Sequence, residues 1–445
     1  MTQQMNVAPA AYDLLGIGFG PSNLALAIAL QELGEQRNQP LRSLFLDRQK
    51  DYRWHGNTLV AQSELQISFL KDLVTLRNPQ SPYSFVNYLH TQGRLADFIN
   101  LGTFYPCRME YNDYLRWVAG HFTEQSGYGE EVLRIEPVIS AGRNVERLQV
   151  VSRDTEGREH IRHTHSLALS TGGTPKIPLV FAGLKGNERV FHHAQYLQSM
   201  ATMPCVDGRP MRIAVVGGGQ SAAEAFIDLN DSYPSAQVDM ILRAAVLKPA
   251  DDSPFVNEIF APEYTDLVFN QPEDDRDRLI NEYHNTNYSV VDLDLIERIY
   301  GIFYRQKVSR QFRHGFLCRR VIETAHQEGG QIELRLNDIA TGTIESHRYD
   351  AVILATGYER TSHRRLLEPL AEYLGDFVAG RDYRLASDPR LQASIFIQGF
   401  CQASHGLSDT LLSVLPARAG EIADALYELP RHRRQEIAKA VAQRA

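Results

Sequence analysis

The chain repeats one pattern of positions twice: a short apolar run leads into a cluster of glycines and then into a run rich in small apolar residues. The first copy spans 12–33 and the second spans 211–224. Each copy predicts a buried strand, a tight turn and a helix that packs on a sheet. Such a turn brings backbone N–H groups and a helix N-terminus to one point, which attracts a pyrophosphate. The pattern therefore predicts two dinucleotide-binding units.

The strand predicted after each glycine turn ends in a charged residue, and the two charges are opposite. The first strand, 41–46, is followed by Asp47, and the second, 237–242, by Arg243. An acidic residue there accepts hydrogen bonds from a ribose hydroxyl, whereas an arginine suits the 2′-phosphate of NADP. Two different dinucleotides in one chain indicate a redox cofactor that stays bound and a nicotinamide that reduces it. We therefore expect FAD in the first unit and NADPH in the second.

Periodicity elsewhere in the chain predicts the remaining elements. Two segments, 51–82 and 248–287, lack a clean period and are expected to be irregular, and the first of them is expected to line a site. A linker is expected at 200–210 because turn-forming residues are frequent there. The regular segments expected are helices at 111–122 and 292–306, a C-terminal helix with a basic last turn, antiparallel strands at 132–169, and a buried strand ending at Thr356-Gly357.

The length of the chain and the order of these elements predict its domain organisation. With 445 residues it exceeds one ordinary core. We expect an α/β protein with two Rossmann-like dinucleotide-binding domains, the NADPH domain being inserted in the FAD domain. The expected boundaries are 1–207 for the first part of the FAD domain with its substrate-site segments, 208–350 for the inserted NADPH domain, and 351–445 for the return to the FAD domain with C-terminal helices.

Charge and cysteine usage exclude several other classes of protein. The net charge of −8, without a basic cluster, argues against a nucleic-acid partner. The four cysteines lie far apart with no CxxC pair, so neither a zinc site nor the dithiol of a disulfide reductase is expected. Scattered cysteines fit a reduced, cytoplasmic setting. No apolar run is long enough to predict a membrane span.

Several motifs together resemble the microbial N-hydroxylating flavin monooxygenases of siderophore biosynthesis, and within that family the branch that hydroxylates L-ornithine in the pyoverdine pathway. The resemblance runs from about Tyr12 to about Ile422, and 51–116 is its most distinctive part. The motifs are Gly18-Phe19-Gly20-Pro21-Ser22-Asn23, Asp51-Tyr52-Arg53-Trp54-His55-Gly56, the block from Gln66 to Lys71, Gly217-Gly218-Gly219-Gln220-Ser221-Ala222-Ala223-Glu224, Asn285-Thr286-Asn287 and Ala355-Thr356-Gly357-Tyr358.

The resemblance implies a role for each matching position. Lys71, Asn257 and Asn287 would hold the α-carboxylate and α-amino group of the substrate, with Ser413 as a fourth contact near the flavin. Asn287 is also the expected catalytic residue, because it would reach the nicotinamide side of the flavin pocket. The expected cofactor-binding residues are Gly18, Gly20, Pro21, Ser22, Asn23, Asp47, Trp54, His55, Gln66, Arg108, Tyr358 and Leu411, and, for NADP, Gly217, Gly219, Gln220, Ser221 and Arg243.

The resemblance also implies the reaction. NADPH reduces FAD, O₂ adds at flavin C4a, and the distal oxygen of the hydroperoxide passes to the neutral side-chain amine of L-ornithine, which supplies a hydroxamate precursor. No metal is expected. A homo-oligomer, specifically a tetramer, is implied, in a cytoplasmic setting where loose association with the inner membrane stays open.

Two alternatives to this function stay open. A lysine N6-hydroxylase would share every motif, since one methylene in a pocket is worth only about 1–3 kcal/mol. A non-catalytic NADP sensor or scaffold would keep both glycine turns, although the joint presence of Lys71, Asn257 and Asn287 argues against it.

Some of the expected site residues also have purely structural interpretations. Lys71 could pair with the adjacent Asp72 on the surface, and Asn257 could cap a helix. Ser413 could bond back to a helix carbonyl, His55 could be an ordinary structural histidine, and Tyr358 could pack at the domain hinge.

Overall fold

A computed structural model describes residues 11–140 and 144–429 of the chain. The strands are β1 (Leu14–Ile17), β2 (Ser43–Asp47), β3 (Ser126–Tyr128), β4 (Glu131–Ile139), β5 (Val145–Arg153), β6 (Glu159–Thr164), β7 (Ser166–Leu169), β8 (Thr174–Pro175), β9 (Val190–His192), β10 (Met211–Val216), β11 (Ala236–Ile241), β12 (Gly315–Leu317), β13 (Arg320–Glu328), β14 (Gln331–Asp338), β15 (Ile344–Tyr349), β16 (Ala351–Leu354), β17 (Tyr358–Glu359) and β18 (Ser394–Ile397). The α-helices are α1 (Pro21–Gln36), α2 (Phe85–Thr91), α3 (Leu95–Leu101), α4 (Arg108–Gly120), α5 (Tyr196–Met200), α6 (Gln220–Ser232), α7 (Pro254–Asn257), α8 (Pro262–Phe269), α9 (Glu273–Tyr283), α10 (Leu293–Ser309), α11 (Ser362–Leu366), α12 (Ala371–Leu374), α13 (Gln402–His405) and α14 (Leu415–Glu428).

Two five-stranded sheets of parallel strands form the centres of two domains. The first sheet has the order β18-β7-β1-β2-β3 and the second has the order β12-β11-β10-β16-β9. All four residues of β1 are buried, and so are all four of β16, as expected for central strands covered on both faces. We call the unit around the first sheet the first domain and the unit around the second sheet the second domain.

Each glycine-turn helix packs against its own sheet. In α1, Ala25, Ala27 and Ala29 are buried together with Leu26 and Ile28 between them, and α14 packs against the same helix. In α6 the buried face includes Ala222, Ala223 and Phe226. Small side chains allow this close approach of helix to sheet, so the strand–turn–helix prediction is confirmed for both copies.

Two three-stranded antiparallel sheets complete the strands of the two domains. The first has the order β4-β5-β6 and the second has the order β13-β14-β15. The antiparallel strands expected at 132–169 are thus present as far as β6. The last of that run, β7, instead pairs in parallel with β1 in the first sheet.

The predicted segment of the inserted domain, 208–350, is too short at both ends. Strand β9 precedes residue 208 and β16 follows residue 350, yet both pair within the second sheet. The chain crosses between the sheets instead at β8 and β17, which pair with each other. An apolar strand carries no local mark of which sheet it joins, so the sequence could not place these two.

The segment 248–287 was predicted to be irregular, and that prediction is wrong. It contains α7, α8 and α9, each preceded or begun by a proline. Helix α9 is rich in charged residues and buries no side chain fully, so its apolar period is too weak to read. The linker expected at 200–210 begins at the last residue of α5 and consists of turns with one 3₁₀ segment, Pro204–Asp207. The expected basic last turn of the C-terminal helix lies outside the described residues.

None of the helices in the described ranges combines the length and apolar character that a membrane crossing requires.

Candidate functional site

The first glycine turn leaves the N-terminus of α1 open. Gly18 has φ +82°, and a Cβ there would lie 2.6 Å from the carbonyl oxygen of Ser170, so only glycine fits. Gly20 is the N-cap of α1, where no side chain caps the first-turn N–H groups and a Cβ would meet open space. With Pro21 as the first helical residue, the N–H groups that follow it in the first helical turn are free to bind an anion.

Asn23, which replaces the third glycine of the usual motif, is fully buried and serves as a scaffold for this turn. Its amide nitrogen donates hydrogen bonds to the carbonyl oxygens of Gly18, at 2.7 Å, and Ala168, at 3.2 Å. Its amide oxygen accepts one from Gln398, at 2.8 Å. Because both ends of the amide are engaged by the protein, Asn23 shapes the loop rather than offering a free group to a ligand.

Two further residues brace the same turn. Asp47 follows the apolar core of β2 and accepts a hydrogen bond from the Phe19 N–H, at 2.8 Å. Ser22 accepts one from Arg418, at 2.9 Å, and Arg418 in turn pairs with Asp409 at the same distance. The Arg418–Asp409 pair is almost completely buried and gives no local sequence signal, so sequence reasoning missed it.

The second glycine turn has the same construction. Gly217 has φ +150°, and a Cβ there would lie 2.4 Å from the carbonyl oxygen of Ala355. Gly219 is the N-cap of α6, again without a side-chain cap, and Ser221 lies in the first turn without a side-chain hydrogen bond to any described residue. Arg243 lies two residues beyond β11, is exposed, and has no partner within the described ranges. The turn therefore offers free N–H groups and a free guanidinium.

Both turns therefore fit the phosphates of dinucleotides. Each combines a glycine that no other residue could replace with an uncapped helix of more than two turns, which is the arrangement that binds a pyrophosphate.

The side chains of Lys71 and Asp72 face different surroundings. The carboxylate of Asp72 is buried and accepts hydrogen bonds from the N–H groups of Val74, Thr75 and Phe85 and from the Thr75 hydroxyl. The ammonium of Lys71 is partly buried and has no hydrogen-bond or ion-pair partner among the described residues, and burial lowers its pKa. The surface ion pair considered from sequence is therefore absent from the described part of the chain, and Lys71 is a cation free to bind an anion.

The segments carrying the other expected substrate contacts meet at one apolar cluster. It contains Leu407 and Leu411 with Val256, next to Asn257, and Tyr288, next to Asn287. The Tyr288 hydroxyl also hydrogen-bonds to that of Thr410. The structure thus brings the Asn257, Asn287 and Leu411 segments together, whereas no described contact joins Lys71 to this cluster.

The amide groups and hydroxyl in these segments differ in what they bind. Asn257 ends α7 and donates to the carbonyl oxygen of Asp252, at 2.7 Å, so it does not act as an N-terminal cap. The Asn287 side chain has no partner in the described ranges. Ser413 is 1% exposed, and its hydroxyl also lacks a partner in the described ranges. Ser413 precedes α14 rather than lying inside it, so the back-bonding interpretation is wrong.

Three of the expected cofactor-binding residues have aromatic rings: Trp54 and His55 in the segment 51–56, and Tyr358 on β17. Trp54 packs edge-on against His55 and Tyr111, with centroid distances of 4.8 and 5.5 Å. His55 adopts the left-handed conformation, with φ 53°. Tyr358 packs edge-on against His192, as expected for a residue at the crossing between domains.

Three more of the expected cofactor-binding residues are engaged with other protein groups, as Ser22, Asn23 and Asp47 are. Arg108 pairs with Glu224, whereas Gln66 and Gln220 both donate to Asp292. Burial raises the pKa of the Glu224 and Asp292 carboxyls, and Arg108 opposes this shift for both. Sequence reasoning assigned no role to either acid, although Glu224 is part of the second glycine motif.

The two sheets, each with an open glycine turn, define a two-dinucleotide oxidoreductase. Within this class the chain belongs to the L-lysine 6-monooxygenase/L-ornithine 5-monooxygenase family, whose sequence profile matches residues 10–360.

Known relatives of the chain are similar over almost its full length. It is 68% identical over 428 residues to an L-ornithine N(5)-monooxygenase of Pseudomonas aeruginosa, covering 96% of each chain. The solved structure of the ornithine hydroxylase from Pseudomonas aeruginosa superposes with a TM-score of 0.90 at 67% identity, covering 94% of this chain and 99% of that one. An ornithine N-hydroxylase of Kutzneria sp. 744, solved with reduced FAD, NADP⁺ and L-ornithine, has a TM-score of 0.88 at 35% identity, with coverages of 94% and 99%.

Proposed function

We propose that this protein is an NADPH- and O₂-dependent flavin monooxygenase that hydroxylates the side-chain amine of L-ornithine to N5-hydroxyornithine, for hydroxamate siderophore biosynthesis. The observation that carries the proposal is the presence of two open glycine turns on two separate sheets, in a chain of this family. The choice of ornithine is supported by the 68% identity to an ornithine monooxygenase.

In this proposal FAD lies at the first glycine turn and NADP at the second. The uncapped N–H groups in the first turn of α1 would hold the FAD pyrophosphate, and those in the first turn of α6 would hold that of NADP. Arg243 would bind the 2′-phosphate, for which its free guanidinium is suited. FAD supplies the oxygen chemistry once NADPH has reduced it, and this chain's residues bind, orient and shield the reactants.

The amino-acid head of the substrate would bind at Lys71, Asn257 and Asn287. Lys71 is supported as the carboxylate partner because its ammonium is partly buried and otherwise unpaired. The Asn287 amide and the Ser413 hydroxyl also lack protein partners in the described ranges and can bond to polar groups of the substrate or the flavin. We propose Asn287 as the catalytic residue, which would act by orienting these polar groups of the substrate or the flavin.

The reacting amine must be neutral, because only its lone pair can take up oxygen. A lysine-like amine, with a reference pKa of about 10.4, costs roughly 3 kcal/mol to deprotonate at pH 8. A carboxylate at the substrate tip would increase that cost. Asp72 is committed to its own loop, and Asp251 accepts a hydrogen bond from the Ser253 N–H, so each already has a protein partner.

Lysine is the competing substrate, since the family includes both activities. We also propose that the protein assembles as a homotetramer without a metal and lies in the cytoplasm. The family resemblance supports the tetramer, and the four free cysteines fit a reducing compartment.

Purified protein supplied with FAD tests the reaction. With NADPH, O₂ and L-ornithine, the proposal predicts a product heavier than ornithine by one oxygen atom on the side-chain nitrogen. NADPH consumption in this mixture without an N-hydroxylated product would contradict the proposal.

A further inference from the structure

A buried ion pair crosses between the two domains beside the second glycine turn. Arg108 begins α4 in the first domain, and Glu224 lies in α6 of the second. The guanidinium meets the carboxylate through two parallel contacts, Nη1 to Oε2 and Nη2 to Oε1, each 2.9 Å. The side chains are only 15% and 3% exposed. A bidentate pair of this kind fixes direction as well as distance.

The ion pair is continued by a chain of hydrogen bonds around the first residue of α6. The amide nitrogen of Gln220 donates to Glu224, at 3.0 Å, and to Asp292, at 2.8 Å. The Gln220 amide oxygen accepts from the Asp292 N–H, at 2.9 Å. Gln66 of the first domain donates to the other carboxylate oxygen of Asp292, at 2.8 Å. The first domain therefore holds this helix end at two points, through Arg108 and Gln66.

The place of this network gives it more than a stabilising role. The chain passes between the sheets at β8 and β17, and two such crossings alone leave freedom of rotation between domains. The network lies at the N-terminal end of the helix that would carry the NADP pyrophosphate. It therefore sets the position of that helix end relative to the first domain.

We propose that Arg108 and Glu224 are positioning residues for flavin reduction, which orient the NADPH-bearing end of α6 toward the first domain through Gln220 and Asp292. This rests on the proposed function, because it assumes FAD at the first turn and NADPH at the second. In this role Arg108 and Glu224 act through the protein, by holding Gln220 and Asp292 in place.

The test compares FAD-loaded wild-type protein with Glu224→Gln and with Glu297→Gln, a matched change at an exposed position of α10. Anaerobic mixing with saturating NADPH gives the rate of flavin reduction, and titration with NADP⁺ gives the binding constant. Hydrogen–deuterium exchange of the oxidised enzyme without NADPH reports how tightly 61–66 and 220–224 are held.

We expect Glu224→Gln to slow flavin reduction at least tenfold, with less than about a threefold change in NADP⁺ binding, because alignment rather than affinity is lost. Exchange in 61–66 and 220–224 should rise, and Glu297→Gln should match the wild type in every measurement. A wild-type rate of reduction, or unchanged exchange, in Glu224→Gln overturns the proposal.

Two milder variants decide the matter if Glu224→Gln does not fold. Arg108→Lys keeps the charge but loses the bidentate geometry, and Asp292→Asn weakens the bond to Gln66 or Gln220. Slower reduction in both supports the proposal, and wild-type reduction in either overturns it. If NADPH fails to reduce the flavin of the wild-type protein, the proposed function itself is wrong.

Discussion

The side chain of Asn23 donates a 2.7 Å hydrogen bond to the carbonyl oxygen of Gly18, so the residue that replaces the third glycine of the motif holds the first glycine in place. The same amide is bonded to Ala168 and Gln398, which lie on β7 and just beyond β18. The glycine turn is therefore tied to three neighbouring parallel strands. In this chain, the departure from the usual motif is a structural support of the loop.

Restoring the usual glycine with Asn23→Gly should destabilise the protein. The change removes the bonds from Asn23 to the Gly18 and Ala168 carbonyl oxygens and leaves the buried Gln398 amide without this acceptor, at a cost of at least about 2 kcal/mol. We expect a lower unfolding midpoint and loss of FAD on purification. Asn281→Gly, at an exposed position in α9, should cost only about 1 kcal/mol. Equal effects of the two changes would show that the Asn23 hydrogen bonds are unimportant.

Lys71→Ala should weaken substrate binding and leave FAD bound. Losing a charged hydrogen bond costs about 1.5–3 kcal/mol, so the KM for L-ornithine should rise roughly 10- to 100-fold. Steady-state kinetics and the flavin content of the purified variant measure the two effects. Lys185→Ala removes an exposed lysine and serves as the control. Loss of FAD with an unchanged KM would place Lys71 in the flavin site instead.

Arg243→Asp should weaken the binding of NADPH much more than the binding of NADH. The change replaces a cation suited to a 2′-phosphate by an anion that repels it. We expect the KM for NADPH to rise by about 100-fold and that for NADH by less than about threefold. Lys307→Asp, which makes the same change of charge on α10, controls for the overall field. Parallel losses with both nucleotides would remove the 2′-phosphate role.

His405 should make the protein less stable in acid. It is 1% exposed and stacks on Tyr383, and burial lowers its pKa from 6.5 to about 4. Because only the unfolded state takes up this proton between those values, stability is complete above pH 6.5 and declines as pH falls toward 4. At pH 5 the loss from this one group is about 2 kcal/mol.

Urea unfolding at pH 7 and pH 5 measures the contribution of His405. The free energy of unfolding should differ less between pH 7 and pH 5 in His405→Gln than in the wild type. In His326→Gln, a change at an exposed position of β13, this difference should equal that of the wild type. If the free energy of unfolding of His405→Gln falls between pH 7 and pH 5 as much as that of the wild type, His405 does not resist protonation in the folded protein.

The sequence predicts those parts of the fold that have local signals. The glycine turns, with β1, α1, β10 and α6, are contained in short runs whose apolar period and glycine spacing determine the structure. Membership of a sheet depends on distant pairing, so β9 and β16 could not be assigned.

The candidate site shows the same division between local and distant information. The resemblance of the motifs predicted Lys71 and Asn287 as substrate-binding residues. In the structure, neither side chain has a partner in the described ranges. The Arg108–Glu224 and Arg418–Asp409 pairs depend on burial and on the folded path of the chain, which no local pattern reveals. Arg108 was accordingly expected at a cofactor, whereas its guanidinium is bound to Glu224.

The central claim is tested most directly by measuring hydroxylamine formation and NADPH oxidation with L-ornithine, L-lysine and putrescine side by side. The account predicts N-hydroxylated product from L-ornithine, with NADPH consumption matched to it. L-lysine should give little product, and so should putrescine, which lacks the carboxylate that Lys71 would bind. Product from L-lysine at a rate equal to or above that from L-ornithine would contradict the account.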